Sequence, residues 1–386
     1  MIAYTALSAA NQMLWLTYTP ITTDAAHHYG VSTGAIGWLA EIFPLLYVVL
    51  AVPAGRLIDQ RMPLWLGVGA ALTAAGGLLR LAGDSYVLVL AGQVLVAVAQ
   101  PLVLNAVTKV SGSYLRERDR ASGIAMSSAG IFAGMVLALV LGAALGPHRL
   151  GTLLIVQAGI AVVAAALLWG VLRRPGAHVG PAASAVPLRR VWADRYLRRL
   201  TGLICIGFGV FIALTTWLQT LLEPAGVSDT AAGYLLVAMV LAGVAGSAVL
   251  PPLIARRGVA SGFVLLSVFA SCAGLVVLAA APGVGTGLVV LIVVGLLLLT
   301  DLPVILQLVE RRAGPAGGTA TALVWLAGNG AGLVAALAVQ ALVHSPAAAF
   351  TLLAAALLLG VPLLRSLGSA EADLQPIEPS VSSESA

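Results

Sequence analysis

The sequence predicts an all-α integral membrane protein whose 12 transmembrane helices form two pseudo-symmetric six-helix bundles. Of its 386 residues, 60% are hydrophobic and only 9% are charged, with a mean hydropathy of +1.03. Soluble domains carry about 25% charged residues. The charges lie in short clusters between apolar runs of about 20 residues, the length of helix that crosses a ~30 Å hydrocarbon core. The basic residues also separate to one side of such a bundle, and together these observations exclude a soluble protein.

Twelve apolar runs are long enough to cross the membrane. They cover about 3–23, 33–57, 63–82, 85–108, 121–146, 150–172, 198–222, 229–254, 259–281, 285–308, 317–343 and 346–365. The first run is expected to be a span and not a cleaved signal, because it has no basic region before it. We expect it to break at Pro20 and to lead into a polar loop from Asp24 to Ser32.

The positive-inside bias sets the orientation of these spans. With both termini in the cytosol, all of the 20 Lys and Arg residues lie at cytosolic ends except Arg80 and Arg149. An odd number of spans would destroy this separation. We therefore expect a multi-pass protein of the cell membrane with both termini cytosolic.

A segment rich in Pro, Gly, Ala and Arg divides the spans six and six. The predicted domains are an N-terminal six-helix bundle (1–172), a cytosolic linker (173–196), a C-terminal six-helix bundle (197–366) and a disordered cytosolic tail (367–386). Segments of the two halves also resemble each other in sequence. The paired segments are GRLIDQR (55–61) with GSAVLPPLIARRG (246–258), and RDRASGIAM (118–126) with GPAGGTATAL (314–323). Many secondary transporters are built from such repeats, with the site near the midplane between them.

Other classes of function find no support in the sequence. The net charge of +5 comes from loop residues, so nucleic acid is not an expected partner. The chain has no phosphate-binding P-loop motif, no metal-ligand spacing and no nucleophile beside a His and an acid. Cys205 and Cys272 fall in apolar runs, as small buried side chains do. We expect no enzyme activity, no cofactor and no metal, and a monomer in the lipid bilayer.

Several segments carry a resemblance to a known family. GRLIDQR resembles the loop signature of the major facilitator superfamily, a Gly followed by an Asp four residues on and then a basic residue. More narrowly, four segments resemble the feline leukaemia virus subgroup C receptor-related carriers, whose members move haem, choline or ethanolamine. These segments are NQMLWLTYTPI, HYGVSTGAIGWL, GQVLVAVAQPLVLNAVTKV (92–110) and LPVILQLVE (302–310). The resemblance implies the superfamily fold and transport by alternating access.

Glu41 is the candidate coupling residue. It lies about 12 Å along its span, which we take to be near the midplane. A carboxyl there is expensive and therefore a functional candidate, either as a proton carrier or as the counter-ion of a cationic solute. The alternative is a protonated carboxyl bonded to a neighbouring helix. The resembling family has an apolar residue at this position.

Four further residues are candidates for the wall of a solute site. Gln12 and Trp15 share one face of the first span. The resemblance implies that Trp15 faces the cavity and stacks on a quaternary ammonium, and that Gln100 and Asn329 line the same cavity. Each also has a packing interpretation, since a buried amide needs a partner and an indole packs well between helices.

The remaining acids have other predicted roles. Asp301 either pairs with Arg311 or Arg312 or joins a proton path. The resemblance implies that Asp59, between Arg56 and Arg61, locks the halves on the cytosolic side as a gate.

The sequence as a whole predicts a secondary active or facilitative transporter of a small organic solute, cationic or amphipathic and choline-like, with protons as the candidate coupling ion. One alternative is a proton-coupled exporter of drugs or metabolites in the same superfamily. The other is a channel or a membrane receptor that does not transport.

Overall fold

The computed structural model describes residues 1–145, 149–174 and 188–365, and it is helical throughout its regular segments. The first half contains α1 (Ile2–Trp15), α2 (Thr22–Tyr29), α3 (Thr33–Leu79), α4 (Tyr86–Leu104), α5 (Val107–Tyr114), α6 (Glu117–Leu145) and α7 (Leu150–Leu172). The second half contains α8 (Leu188–Ala193), α9 (Arg195–Leu222), α10 (Asp229–Arg257), α11 (Ala260–Ala280), α12 (Val284–Ala313), α13 (Gly317–Gln340), α14 (Pro346–Leu358) and α15 (Gly360–Arg365). The predicted tail and residues 175–187 of the predicted linker lie outside the described residues.

The predicted membrane fold is confirmed. Within the described ranges, ten helical segments are long and apolar enough to cross a membrane. One of them is α3, which bends at Arg61 (φ −145°, ψ 67°) into two limbs that correspond to two predicted spans. Adding this second limb and the α1–α2 pair to the ten gives the 12 spans of the sequence analysis.

The first span breaks earlier than predicted. Helix α1 ends at Trp15, before Pro20, and α2 is a helix over most of the segment predicted as a loop. A break inside the membrane leaves backbone carbonyls without partners, so side chains must supply the donors. Gln93 Nε2 does so, donating to the carbonyls of Leu14 at 3.2 Å, Trp15 at 3.3 Å and Leu39 at 3.1 Å. The break is therefore built into the packing of the first half.

Side chains also donate to the backbone carbonyls that prolines inside the spans leave without a partner. A proline has no N–H to donate to the carbonyl four residues earlier. Pro44 thus frees the Ala40 carbonyl, which accepts from Trp15 Nε1 at 2.9 Å. Pro303 frees the Leu299 carbonyl, which accepts from the Ser247 hydroxyl at 3.0 Å.

Equivalent helices in the two halves meet through glycine. In the first half, α6 packs on α1 where a Cβ on Gly134 would run into the Ala9 carbonyl. In the second half, α9 packs on α13 where a Cβ on Gly209 would lie 3.2 Å from Ala331. Close backbone approach at small residues is the usual source of helix association in lipid. The matching pairs support the predicted division into two six-helix units, whose exact limits stay a prediction.

Candidate functional site

The two halves are joined most directly at Asp59, near the bend of α3. One carboxylate oxygen accepts from the N–H of Gly318 at 2.7 Å, and the other accepts from the N–H and hydroxyl of Thr319 at 2.8 and 2.6 Å. The first N–H groups of a helix have no intrahelical partner, and the helix dipole makes that end positive. Asp59 therefore caps α13 from the opposite half, and Lys109 Nζ lies 3.6 Å from it.

Two further bonds cross between the halves at the same end of the bundle. Arg120 Nη1 donates to Glu310 Oε1 at 2.8 Å, and the hydroxyls of Thr108 and Thr321 lie 2.9 Å apart. We call this end, which carries Met1, Asp59, Lys109 and Arg120, the basic face. Every hydrogen bond and ion pair between the halves that the described residues make lies at this face.

Arg56 and Arg61, which were predicted with Asp59 as gating residues, make no bond across this junction with the described residues. Arg56 and Arg61 are both exposed, and neither pairs with Asp59 in the described part of the chain. The charge partner is Lys109, which comes from the start of α5. Sequence reasoning missed Lys109 because it is 50 positions from Asp59, and only the packing of α5 beside α3 brings them together.

Five aromatic side chains meet between the halves near the centre of the bundle, and we call them the aromatic layer. They are Tyr47 and Phe132 from the first half and Phe208, Phe211 and Trp325 from the second. Ring centroids lie 6.4 Å apart for Tyr47 and Trp325, 6.3 Å for Phe132 and Phe211, and 5.6 Å for Phe208 with either of its neighbours. Tyr47 is the middle residue between Thr33 and Arg61, the ends of the first limb of α3. The layer therefore lies at mid-height, where side chains of the two halves are in contact.

Trp15 lies near this layer, but its side chain contacts α3 of its own half and makes no ring contact with the five aromatic residues in the layer. Its indole N–H donates to the Ala40 carbonyl, and its ring stacks on Phe43 with centroids 5.9 Å apart and an interplanar angle of 27°. The residue is half-buried. One ring face is thus covered in this conformation, which favours the packing interpretation of Trp15.

Glu41 is exposed and makes no hydrogen bond or ion pair with the described residues. The structure corrects its depth, because the limb continues to Arg61 and Glu41 lies about 9 Å from its middle residue, Tyr47. At its own level Glu41 shares an exposed stripe of the limb with Trp38, Leu45 and Val48, which are 60%, 55% and 46% exposed. Asp59 lies 18 residues further along, beyond Pro44 and Pro53, at the point where the limb meets α13.

The predicted amides are placed differently from one another. Gln12 is 2% exposed and its Nε2 has no partner among the described residues. Gln100 is also buried, while Asn329 is half-buried and donates to the Trp325 carbonyl at 2.8 Å. Buried polar atoms nearly always have a partner, so the free Gln12 amide is unusual.

Sequence reasoning missed Trp325 and Ser128. Trp325 is 4% exposed, its Nε1 has no partner in the described residues, and its ring contacts Tyr47 across the halves. The Ser128 hydroxyl is also buried without a partner there, one turn before Phe132. A signal for Trp325 was present, because it precedes the predicted Asn329 by four residues and so shares its helix face.

Asp301 is remote from these residues. Its Oδ2 accepts from Ser267 on α11 at 2.7 Å, and its Oδ1 has no partner in the described part of the chain. The predicted pairing with Arg312 is wrong, because Arg312 Nη2 lies 2.8 Å from Asp194 Oδ2. Helix α11 packs on α12, α14 and α15, so Asp301 faces away from the first half.

The described residues contain no cluster of metal-ligating side chains. Among the described residues, no group of three or more His, Cys, Asp and Glu side chains is close enough to hold a metal ion. Cys205 and Cys272 are both free thiols.

Comparison with known proteins identifies the family. The family model of the Major Facilitator Superfamily matches residues 1–336 of the 386. The chain belongs to the Major Facilitator Superfamily. This membership agrees with the predicted class of membrane transporter.

The relatives also agree with the narrower resemblance. Solute carrier family 49 member A3 of Danio rerio is 28% identical over 263 residues, which cover 62% of this chain and 55% of that protein. The choline/ethanolamine transporter FLVCR1 of Felis catus is 26% identical over 152 residues, 38% of this chain and 27% of that protein. The chain thus spans about half the length of the first of these curated relatives and less of the second.

Solved structures match across nearly the whole chain. The human organic anion transporter MFSD10 has a TM-score of 0.78 at 16% identity and covers 94% of this chain and 98% of its own. A bacterial homologue of the iron transporter ferroportin has a TM-score of 0.76 at 18% identity and covers 95% and 98%. Identities this low establish the fold alone, so the different solutes in these two names say nothing about the solute of this chain.

Proposed function

We propose that this transporter moves a small organic solute, cationic or amphipathic and choline-like, by alternating access between its halves. It acts in the cell membrane with both termini and the basic face in the cytosol. The observation that carries this proposal is the aromatic layer between the halves together with the unpartnered amide of Gln12 and indole of Trp325.

The chemistry of this layer suits such a solute. An aromatic face attracts a desolvated cation by about 2 kcal/mol. The Gln12 and Trp325 nitrogens are donors without acceptors in the described residues, so a hydroxyl or carbonyl oxygen on the solute would complete them. A solute with an ammonium at one end and a hydroxyl at the other meets both requirements. The curated relatives named as choline/ethanolamine transporters support the same class.

The bonds at the basic face act as the gate in this proposal. Asp59 and Arg120 join the halves there, and no such bond joins the described residues at the opposite end. The arrangement corresponds to a carrier closed to the cytosol. Release of Asp59 from α13 would let the halves rock apart at this face, as alternating access requires.

Glu41 and Asp301 serve as the titratable groups of the cycle. Glu41 is exposed and lies on the limb of α3 that meets the second half at Asp59. It is proposed to face the opening between the halves, where it attracts the cation and exchanges its proton for it. Asp301 is proposed as a proton site inside the second half, because a buried carboxyl without a cation is stable only as the neutral acid.

Counterflow in proteoliposomes tests the proposal. Vesicles loaded with unlabelled choline should accumulate labelled choline transiently, and Trp325→Ala should abolish this signal while Trp325→Phe retains part of it. Val334, exposed on the same helix, supplies the control Val334→Ala, which should transport normally. Labelled choline that enters without counterflow would indicate a channel, and no uptake of choline or ethanolamine by the folded protein would reject the proposed solute class.

A proton-coupled exporter is the second candidate, favoured by the buried, unpaired carboxyl of Asp301. It predicts efflux of a lipophilic cationic dye that stops when the proton gradient is collapsed. It also predicts that Asp301→Asn uncouples efflux from the gradient, whereas a facilitative carrier would be unaffected by the gradient in either protein.

A further inference from the structure

A guanidinium is buried at the end of the first half opposite the basic face. Arg80 follows α3 directly and is only 2% exposed. Its Nη1 donates to the Leu14 carbonyl at 3.4 Å and to the Thr17 hydroxyl at 3.1 Å, both at the break in the first span. Its Nη2 has no partner among the described residues.

The charge of Arg80 is not balanced by a carboxylate. The ion pairs of the described residues do not include Arg80, and the acid nearest to it in the chain, Asp84, is 88% exposed and bonded to His28 at 3.2 Å. The groups that act on the guanidinium electrostatically are the phenols of Tyr18 and Tyr29. An arginine stays protonated in proteins, so the site cannot become neutral by losing a proton. A buried charge without a counter-ion is costly.

Other donors around the same point also lack acceptors. The Thr17 hydroxyl donates to Gln157 Oε1 at 2.7 Å, which leaves Gln157 Nε2 as a buried donor without a partner in the described residues. The hydroxyl of Tyr18 is likewise buried. It lies within reach of the Arg80 guanidinium and of the Tyr29 phenol, but in neither case with the geometry of a good hydrogen bond. The guanidinium and an amide thus meet at Thr17 with the phenol of Tyr18 beside the guanidinium, and the cluster carries a net positive charge. The amide oxygen of Gln93, whose nitrogen shares the Leu14 carbonyl with Arg80, is an acceptor of the same region without a partner among the described residues.

We propose that this cluster of Arg80, Tyr18 and Gln157 binds a small monovalent anion, chloride, inside the first half. The anion would accept from the three unpartnered donors and neutralise the guanidinium. The carbonyl end of α1 also favours a cation, but a helix terminus carries only about half a charge. The carbonyl end of α1 accounts for the bond of Arg80 Nη1 to Leu14. It leaves Arg80 Nη2, the Gln157 amide and the Tyr18 phenol without acceptors among the described residues. The site lies apart from the aromatic layer and does not depend on the proposed solute.

The melting temperature of the purified protein tests this site, since an anion that binds only the folded state raises it by mass action. Replacing gluconate by chloride at constant ionic strength should raise Tm by about 3 °C or more at saturation. Bromide should substitute for chloride, and its anomalous scattering in a crystal should place one ion beside Arg80. A Tm that is equal in gluconate and chloride would reject the proposal.

Two variants separate binding from general stability. Gln157→Glu puts a carboxylate beside Thr17, so we expect its Tm to be independent of chloride and higher than that of the parent protein in gluconate. Arg80→Gln should also lose the chloride response. Arg149→Gln, at an exposed arginine of the same end, should keep it. If Arg80→Gln does not fold, Gln157→Glu decides alone: a chloride response equal to that of the parent protein would contradict an anion at this point.

Discussion

Replacing Asp59 by Asn should release the basic face, because the substitution removes the charge that caps α13 from the other half. The carboxylate accepts three hydrogen bonds, two of them from backbone N–H groups at the start of the helix. Hydrogen bonds to a charged group contribute about 1.5–3 kcal/mol each. Asn keeps one acceptor oxygen, and water would solvate the freed N–H groups once the halves part.

We therefore expect Asp59→Asn to cost the closed state about 2–4 kcal/mol, the net loss of one to two charge-assisted bonds. This energy corresponds to a change of about 30- to 1,000-fold in the ratio of closed to open molecules at the basic face. The change should favour the state open to the cytosol. Within the first half the substitution removes only the ion pair of Asp59 with Lys109, at 3.6 Å, so the free energy of unfolding of that half should fall by less than the closed state loses.

Spin labels at Gln60 and Arg256, exposed positions near the basic face in different halves, measure the change. Cys205 and Cys272 are first replaced by Ala. The distance distribution should shift from short to long in Asp59→Asn, whereas Arg56→Gln, next to the gate but unpaired with Asp59, should match the parent protein. Identical distributions for Asp59→Asn and the parent protein would refute the role of this carboxylate.

Three other predictions concern the interior. Glu41→Gln should weaken uptake of a cationic solute about 10-fold or more if the carboxylate is its counter-ion, and transport rates that match the parent protein between pH 5 and 8 would contradict this role. Gly134→Val should lower Tm sharply, because its side chain would run into the Ala9 carbonyl; the control Gly159→Ala, where nothing lies within 4 Å, should leave Tm unchanged. Asp301→Leu should be neutral or stabilising in a thermal unfolding assay if the carboxyl has no partner besides Ser267, and a large drop in Tm would indicate an unrecognised partner.

Some features of the site could be predicted because their signal is local. The amide of Gln12, the acid of Asp59 and the polar face of Asn329 are visible as polar residues inside apolar runs, where they are expensive. The partners of these residues could not be predicted. The Asp59 carboxylate accepts from the N–H of Gly318 across 259 positions, and the position of the first turn of α13 in space decides that this N–H is the donor.

The choice between alternative roles has the same origin. For Trp15 the sequence left stacking on a solute and helix packing open, and its indole N–H completes the carbonyl that Pro44 frees on another helix. For Asp301 it left an arginine pair and a proton path open, and Arg312 is paired with Asp194 instead. Each outcome depends on the rotation of one helix against another, which hydropathy does not encode.

The sequence by itself predicted the number of spans, the six-and-six division, whose limits stay a prediction, and the side on which the positive charges gather. It could do so because each span must satisfy its backbone within its own helix, which makes length and hydropathy local properties. Only the tertiary structure decided which polar groups find partners and which stay open. The aromatic layer at Tyr47 and Trp325 and the buried donors around Arg80 come together because non-local packing joins side chains that no local pattern connects.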